Sequence, residues 1–100
     1  MSITTSQSED GKQVTIHVSG RFDFAAHQDF LRAYKQHPPG EKAFIVDLKN
    51  TDYMDSSAMG MLLQLREYGK KDKATELING NDGVCEILRI ANFDKIFTVA

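Results

Sequence analysis

Pro38-Pro39-Gly40 divides the chain at a point that neither a helix nor a strand can cross. Proline disfavours helical geometry in the residue before it, so a helical pattern arriving from the N-terminal side must stop there. That pattern is present. Ala26, Phe30, Ala33, Tyr34 and His37 fall at i, i+4, i+7, i+8 and i+11 and make one apolar stripe on a helix expected over Phe24 to His37. Asp23 is suited to cap it, because its carboxylate can accept from the free amides of the first turn. Beyond the break, Ala43-Phe44-Ile45-Val46 is unbroken apolar sequence leading into Asp47-Leu48. A run without alternation reads as a strand covered on both faces, as in a parallel sheet under helices.

The flanking segments extend the alternation. Ile3 to Ser8 reads as a strand ended by the turn residues Glu9-Asp10-Gly11-Lys12. Val14, Ile16 and Val18 then alternate with Thr15, His17 and Ser19, the period of a half-buried strand, which Gly20 is expected to end. A helix is expected from Asp55 or Ser56 to Tyr68, with Gly69 just past its end. Leu77-Ile78 reads as a short strand and Asn79 to Gly83 as a turn. Val84, Ile87, Leu88 and Ala91 mark a further helix, and Ile96, Phe97 and Val99 a final strand. The order β-β-α-β-α-β-α-β predicts an α/β fold. It has a mixed, mainly parallel sheet of four to five strands, an opening hairpin and three to four helices. One hundred residues without a linker or repeat read as one domain over 1–100.

Composition excludes some classes of partner. A net charge of −2 provides no basic face for nucleic acid. No apolar run approaches the roughly 18–20 residues needed to span a bilayer, so membrane insertion is not expected. The polar residues 1 to 12 contain no signal-peptide core. The single cysteine, Cys85, has no internal disulfide partner, and the expected location is the cytoplasm. His27 and His37 lack the i, i+4 spacing of paired ligands, and neither a Gly-x-x-x-x-Gly-Lys-Ser/Thr loop nor a Gly-rich turn opening a helix is present. No metal, cofactor or enzymatic activity is expected. Charge and cysteine content leave monomer and weak dimer equally open.

The helix after Met54 carries more apolar surface than docking on a sheet requires. Ala58, Met61, Leu62 and Leu65 make the stripe assigned to the sheet, while Ser56, Met59, Gly60 and Leu63 lie together on a neighbouring face. That second set is either covered by a neighbouring helix or left open for a partner, with Ser56 at its edge. Gly60 favours the open reading, since a mid-helix glycine costs about 0.8–1.0 kcal/mol relative to alanine and leaves a notch. Asp55 and Ser56 are both good N-caps, and local sequence does not choose between them.

The stretch "DLKNTDYMDSSAMGMLL" resembles the signature of STAS domains, specifically the stand-alone bacterial anti-sigma factor antagonists. That signature is a strand ending in an acid and an apolar residue, a short loop, then Asp-Ser-Ser-Gly and a helix. "VSGRFDF" resembles the family's strand ending in Gly-x-Leu-Asp, and "FDKIFTV" its terminal segment, so the likeness covers nearly the whole chain. Two departures stand out: Ala58 replaces the usual glycine and Phe22 the commoner leucine.

The resemblance implies a partner switch. The unmodified antagonist binds an anti-sigma factor, often a serine kinase with a GHKL-type ATP fold. Phosphorylation of the first serine after the acid releases it, and a PP2C-like phosphatase reverses the change. Carried to this chain, the acceptor is Ser56, flanked by Asp23, Asp55 and Ser57, with Met54, Met59, Gly60 and Leu63 as partner contacts. Within the family the chain looks closest to regulators of biofilm and motility switching. Two alternatives stand beside it. One is a non-switching STAS subunit of a larger complex, such as a lipid-transport assembly. The other is a receiver-like domain using Asp47, against which the opening hairpin and short length argue.

Overall fold

The computed structural model describes residues 2–100. β1 (Ser2–Gln7) and β2 (Gln13–Phe22) form the antiparallel hairpin, and a 3₁₀ turn (Phe24–Ala26) leads into α1 (His27–Lys35). β3 (Ala43–Met54), α2 (Ser56–Tyr68), β4 (Glu76–Ile78) and α3 (Asp82–Ile90) follow. A second 3₁₀ turn (Phe93–Lys95) and β5 (Thr98–Val99) complete the order. The five strands lie in sequence order, β1-β2-β3-β4-β5, with β2 through β5 parallel. The expected fold class and element order are both found.

That strand order has a consequence for the layers. Each parallel crossover steps to the adjacent strand in the same direction, and such crossovers are right-handed. All three helices therefore fall on one face. Burial agrees: Val14, Ile16, Val18, Phe44, Val46, Leu48 and Leu77 point into the core with Phe30, Leu62, Leu65, Val84 and Leu88. The alternate residues Thr15, His17, Ile45, Asp47, Glu76 and Ile78 are only half-buried on a bare face. The expectation that β3 is covered on both faces is corrected here. Ile45 lies on the bare side between Thr15 and Glu76, its register partners.

Boundaries also differ from the sequence reading. The final strand, expected over Ile96, Phe97 and Val99, is confined to Thr98–Val99, because the amides of Ile96 and Phe97 bond back to the Phe93 carbonyl and close the second 3₁₀ turn. β2 does not end at Gly20; it continues to Phe22 through register shifts after His17 and Gly20. Gly20 has φ +84°, which glycine alone adopts without strain, and it supports the bulge instead of stopping the strand. The helix expected from Phe24 begins as a 3₁₀ turn and becomes α-helical only at His27. β3 runs on to Met54, so Asp55 alone separates it from α2 where the family pattern implied a short loop.

Candidate functional site

β2 and β3 end side by side, with Arg21 opposite Tyr53 and Phe22 opposite Met54. Each strand leaves the sheet through an aspartate that starts the next helical segment. Asp23 Oδ1 accepts from the Ala25 amide at 3.1 Å, and Asp55 Oδ1 accepts from the Ala58 amide at 3.1 Å. Both caps have extended backbone, as an N-cap requires. The amide of Asp55 donates to the Phe22 carbonyl at 3.4 Å and ties the two exits together.

This arrangement answers the choice that the sequence left open. Asp55 is the cap, and Ser56 is the first residue of α2, exposed to solvent. Its hydroxyl is not needed to close the helix end. The amides of Ser56 and Ser57 are among the first-turn donors that have no partner within the helix, at the positive end of its dipole. Ser57 is half-buried one position further on.

The remaining expected residues separate. Gly60 is exposed and lines a cleft between the first turns of α1 and α2 with Phe24, His27, Ser57, Met61 and Gln64. A Cβ placed on Gly60 would meet nothing within 4 Å, so packing does not demand a glycine there. Leu63 is 40% exposed, whereas Met59 is half-buried and packs against the core. Met54, expected as a partner contact, is 2% exposed and belongs to the core. That expectation is corrected: β3 extends to residue 54, and the pleat there turns the side chain inward.

Three residues at the rim escaped the sequence reading. Phe24 is 70% exposed, with its ring 5.7 Å from that of His27 and nearly parallel to it at 16°. Arg21 places its guanidinium 4.1 Å from the centre of the half-exposed Tyr53 ring, and its Nε lies 3.4 Å from Asp23 Oδ2. Phe24 could have been found as an aromatic off the α1 stripe. The Arg21–Tyr53 contact follows from strand register, which the sequence does not display. A cation therefore sits among the acids, held toward Asp23 and Tyr53.

Beyond His27 and Gln64 the cleft continues into a wider groove along α1 and α2, lined by Leu31, Tyr34, Pro39 and Tyr68. Among the described residues, no group of three histidine, cysteine or acidic side chains is placed to hold a metal. No helix among them is long and apolar enough to cross a membrane.

The family described as "Mlab, STAS domain" matches residues 5–99. A STAS-domain containing protein of Pseudomonas aeruginosa (strain UCBPP-PA14) is 45% identical over 101 residues, covering 100% of both chains. An anti-sigma factor antagonist from Mycobacterium paratuberculosis shares the fold at TM-score 0.75 and 22% identity, covering 98% of this chain and 85% of that one. The Bacillus cell fate determinant SpoIIAA in its phosphorylated form aligns at TM-score 0.66 and 19% identity, covering 99% of this chain and 91% of its own.

Proposed function

The chain belongs to the STAS-domain family, and from that premise we propose that it is an anti-sigma factor antagonist switched at Ser56. In the unmodified state it binds an anti-sigma factor that is also, or is joined to, a serine kinase of the GHKL type. Phosphorylation of Ser56 releases it, and a PP2C-type phosphatase restores it, all in the cytoplasm. The observation that supports this reading best is the division of labour at the start of α2. Asp55 closes the helix, and the Ser56 hydroxyl stands exposed beside unpaired amides.

The chemistry belongs to the partner. Ser56 Oγ attacks the γ-phosphorus of ATP, the bond to the ADP oxygen breaks, and the hydroxyl proton passes to a base of the kinase. What this chain supplies is presentation. A phosphate on Ser56 gains about 0.3–2 kcal/mol from the helix terminus, so the domain stays folded. It also adds roughly −1.5 to −2 charges at neutral pH, next to Asp55. A docked partner that offers no cation there must bury that charge against apolar surface. A cost of about 2.7 kcal/mol weakens binding about a hundredfold, enough to exchange partners.

The test is affinity purification from the native cell with wild type, Ser56→Ala and Ser56→Asp, together with intact-mass analysis of the recovered wild type. We expect a shift of about 80 Da at Ser56 in part of the wild type. The alanine variant should retain the anti-sigma partner and the aspartate variant should lose it. Identical partners for all three, with no added mass, would instead identify a permanent subunit of a larger complex.

A further inference from the structure

We infer that Ser6, on the bare face of the sheet, is a reactive hydroxyl: a nucleophile, activated by His17 and positioned through Asp47, that takes the acyl group of activated esters. β1, β2 and β3 lie side by side, and each contributes one member of this row. His17 stands opposite Asp47 in the parallel register, and Ser6 stands opposite Thr15, two residues before His17. The core side of β2 is Val14, Ile16 and Val18, so Thr15, His17 and their partners project from the other face.

Hydrogen bonds give the row a direction. Asp47 Oδ2 lies 3.0 Å from His17 Nδ1, and His17 Nε2 lies 3.1 Å from Ser6 Oγ. A carboxylate only accepts, so in the neutral ring Nδ1 carries the proton and Nε2 accepts from the Ser6 hydroxyl. Asp47 is itself held in place, because its Oδ1 accepts from the Asn79 side chain and the Lys49 amide, both at 3.0 Å. Nucleophile, base and orienting acid in this order are what activates a serine for acyl transfer, whatever the fold. The row is also within reach of a reagent: Ser6 is exposed, and the His17 side chain is 42% exposed.

The step balances with an ester as the acyl source. Ser6 Oγ bonds to the acyl carbon while its proton moves to His17 Nε2. The bond from that carbon to the leaving oxygen then breaks, and the alcohol or phenol departs with the proton. An ester on Ser6 and a neutral imidazole remain. The developing oxyanion has one backbone amide to meet. The Ser8 amide donates to the Gln13 carbonyl at 3.0 Å, so the even-numbered residues of β1 exchange bonds with β2 and the Gln7 amide faces the open edge. The amide that follows a nucleophile serves as an oxyanion donor in serine hydrolases. A single donor on an open face stabilises little charge, which restricts the acyl source to esters with a good leaving group.

The test incubates the full-length protein with p-nitrophenyl acetate, follows p-nitrophenolate release, and maps the acetyl group by peptide mass spectrometry. We expect acetyl on Ser6 and none on Ser8, whose hydroxyl bonds to Asp10. Ser6→Ala should abolish that label, and His17→Gln should slow it at least about tenfold, as loss of a positioned base requires. Asp47→Asn tests the positioning role. With Oδ1 still held by Asn79 and Lys49, the new amide nitrogen faces Nδ1 and shifts the ring proton to Nε2, where it donates to Ser6. Labelling should then fall at least about tenfold, and NMR of the ring nitrogens should report the changed tautomer, while circular dichroism stays that of the wild type. Acetyl confined to lysines or to His17, release unaffected by Ser6→Ala, or a changed tautomer with an unchanged rate would each overturn the inference.

Discussion

The amide of Asp55 reaches the carbonyl of Phe22 at 3.4 Å, joining the end of β2 to the start of α2 across the top of the sheet. Through that contact, Asp23 and Asp55, which are far apart in sequence, become neighbouring caps at one end of the molecule. The exposed Ser56 hydroxyl lies just past the end of β3 at a helix terminus that Asp55 caps, and four consequences of the structure can be measured.

The first concerns the cap. Asp55→Ala should lower unfolding free energy by about 0.5–2 kcal/mol, because the Ala58 amide loses its acceptor. Ser56→Ala should change it by less than about 0.5 kcal/mol, as expected of an exposed residue outside the cap. Urea denaturation of both variants decides this. Equal losses would mean that the serine shares the capping role.

Gly60 should separate stability from binding. With nothing within 4 Å of an added Cβ, Gly60→Ala should stabilise α2 by about 0.8–1.0 kcal/mol. The same methyl group enters the cleft beside Phe24 and Ser57, so affinity for the partner proposed to dock beside Ser56 should fall. Melting temperature and titration calorimetry of the one variant should therefore move in opposite directions.

Gly69 presents the converse. Its φ is −75°, so the left-handed conformation expected after a helix is not the reason for a glycine. A Cβ there would come within 3.3 Å of Phe44 Cδ2, and the need is for space. Gly69→Val should destabilise by about 1–3 kcal/mol through overpacking, measurable by thermal or urea unfolding.

Asp47 makes stability depend on pH. Burial raises its carboxyl pKa, but hydrogen bonds from the Asn79 side chain, the Lys49 amide and His17 together hold it below the ordinary carboxylate value. A lowered folded pKa means that the unfolded chain binds more protons. This contribution is thus complete above about pH 5 and lost as pH falls through the folded pKa. The urea midpoint of the wild type should decline with acid more steeply than that of Asp47→Asn. Parallel declines would show that the carboxylate contributes nothing to stability.

The His17–Asp47 contact also shows where sequence reasoning stopped. Alternation in β2 placed His17 on the outer face, and the acid after Ala43–Val46 placed Asp47 near a strand end. That they meet at 3.0 Å, with Ser6 on the other ring nitrogen at 3.1 Å, is a property of strand register. Arg21 and Tyr53 were hidden for the same reason.

Local patterns by themselves determined the order of elements, the buried stripes Ala26-Phe30-Ala33-Tyr34 and Ala58-Met61-Leu62-Leu65, and the Asp-Ser-Ser start of α2. Each arises from interactions between residues a few positions apart, and their periodicity is written along the chain. Only the tertiary structure decided that one sheet face is bare, that Gly20 bends β2 instead of ending it, and that Met54 is core. It also decided that Gly60 opens toward α1. Those outcomes depend on which strands lie side by side and on which side the crossovers pass, and contacts between distant residues leave no periodic trace in a single sequence.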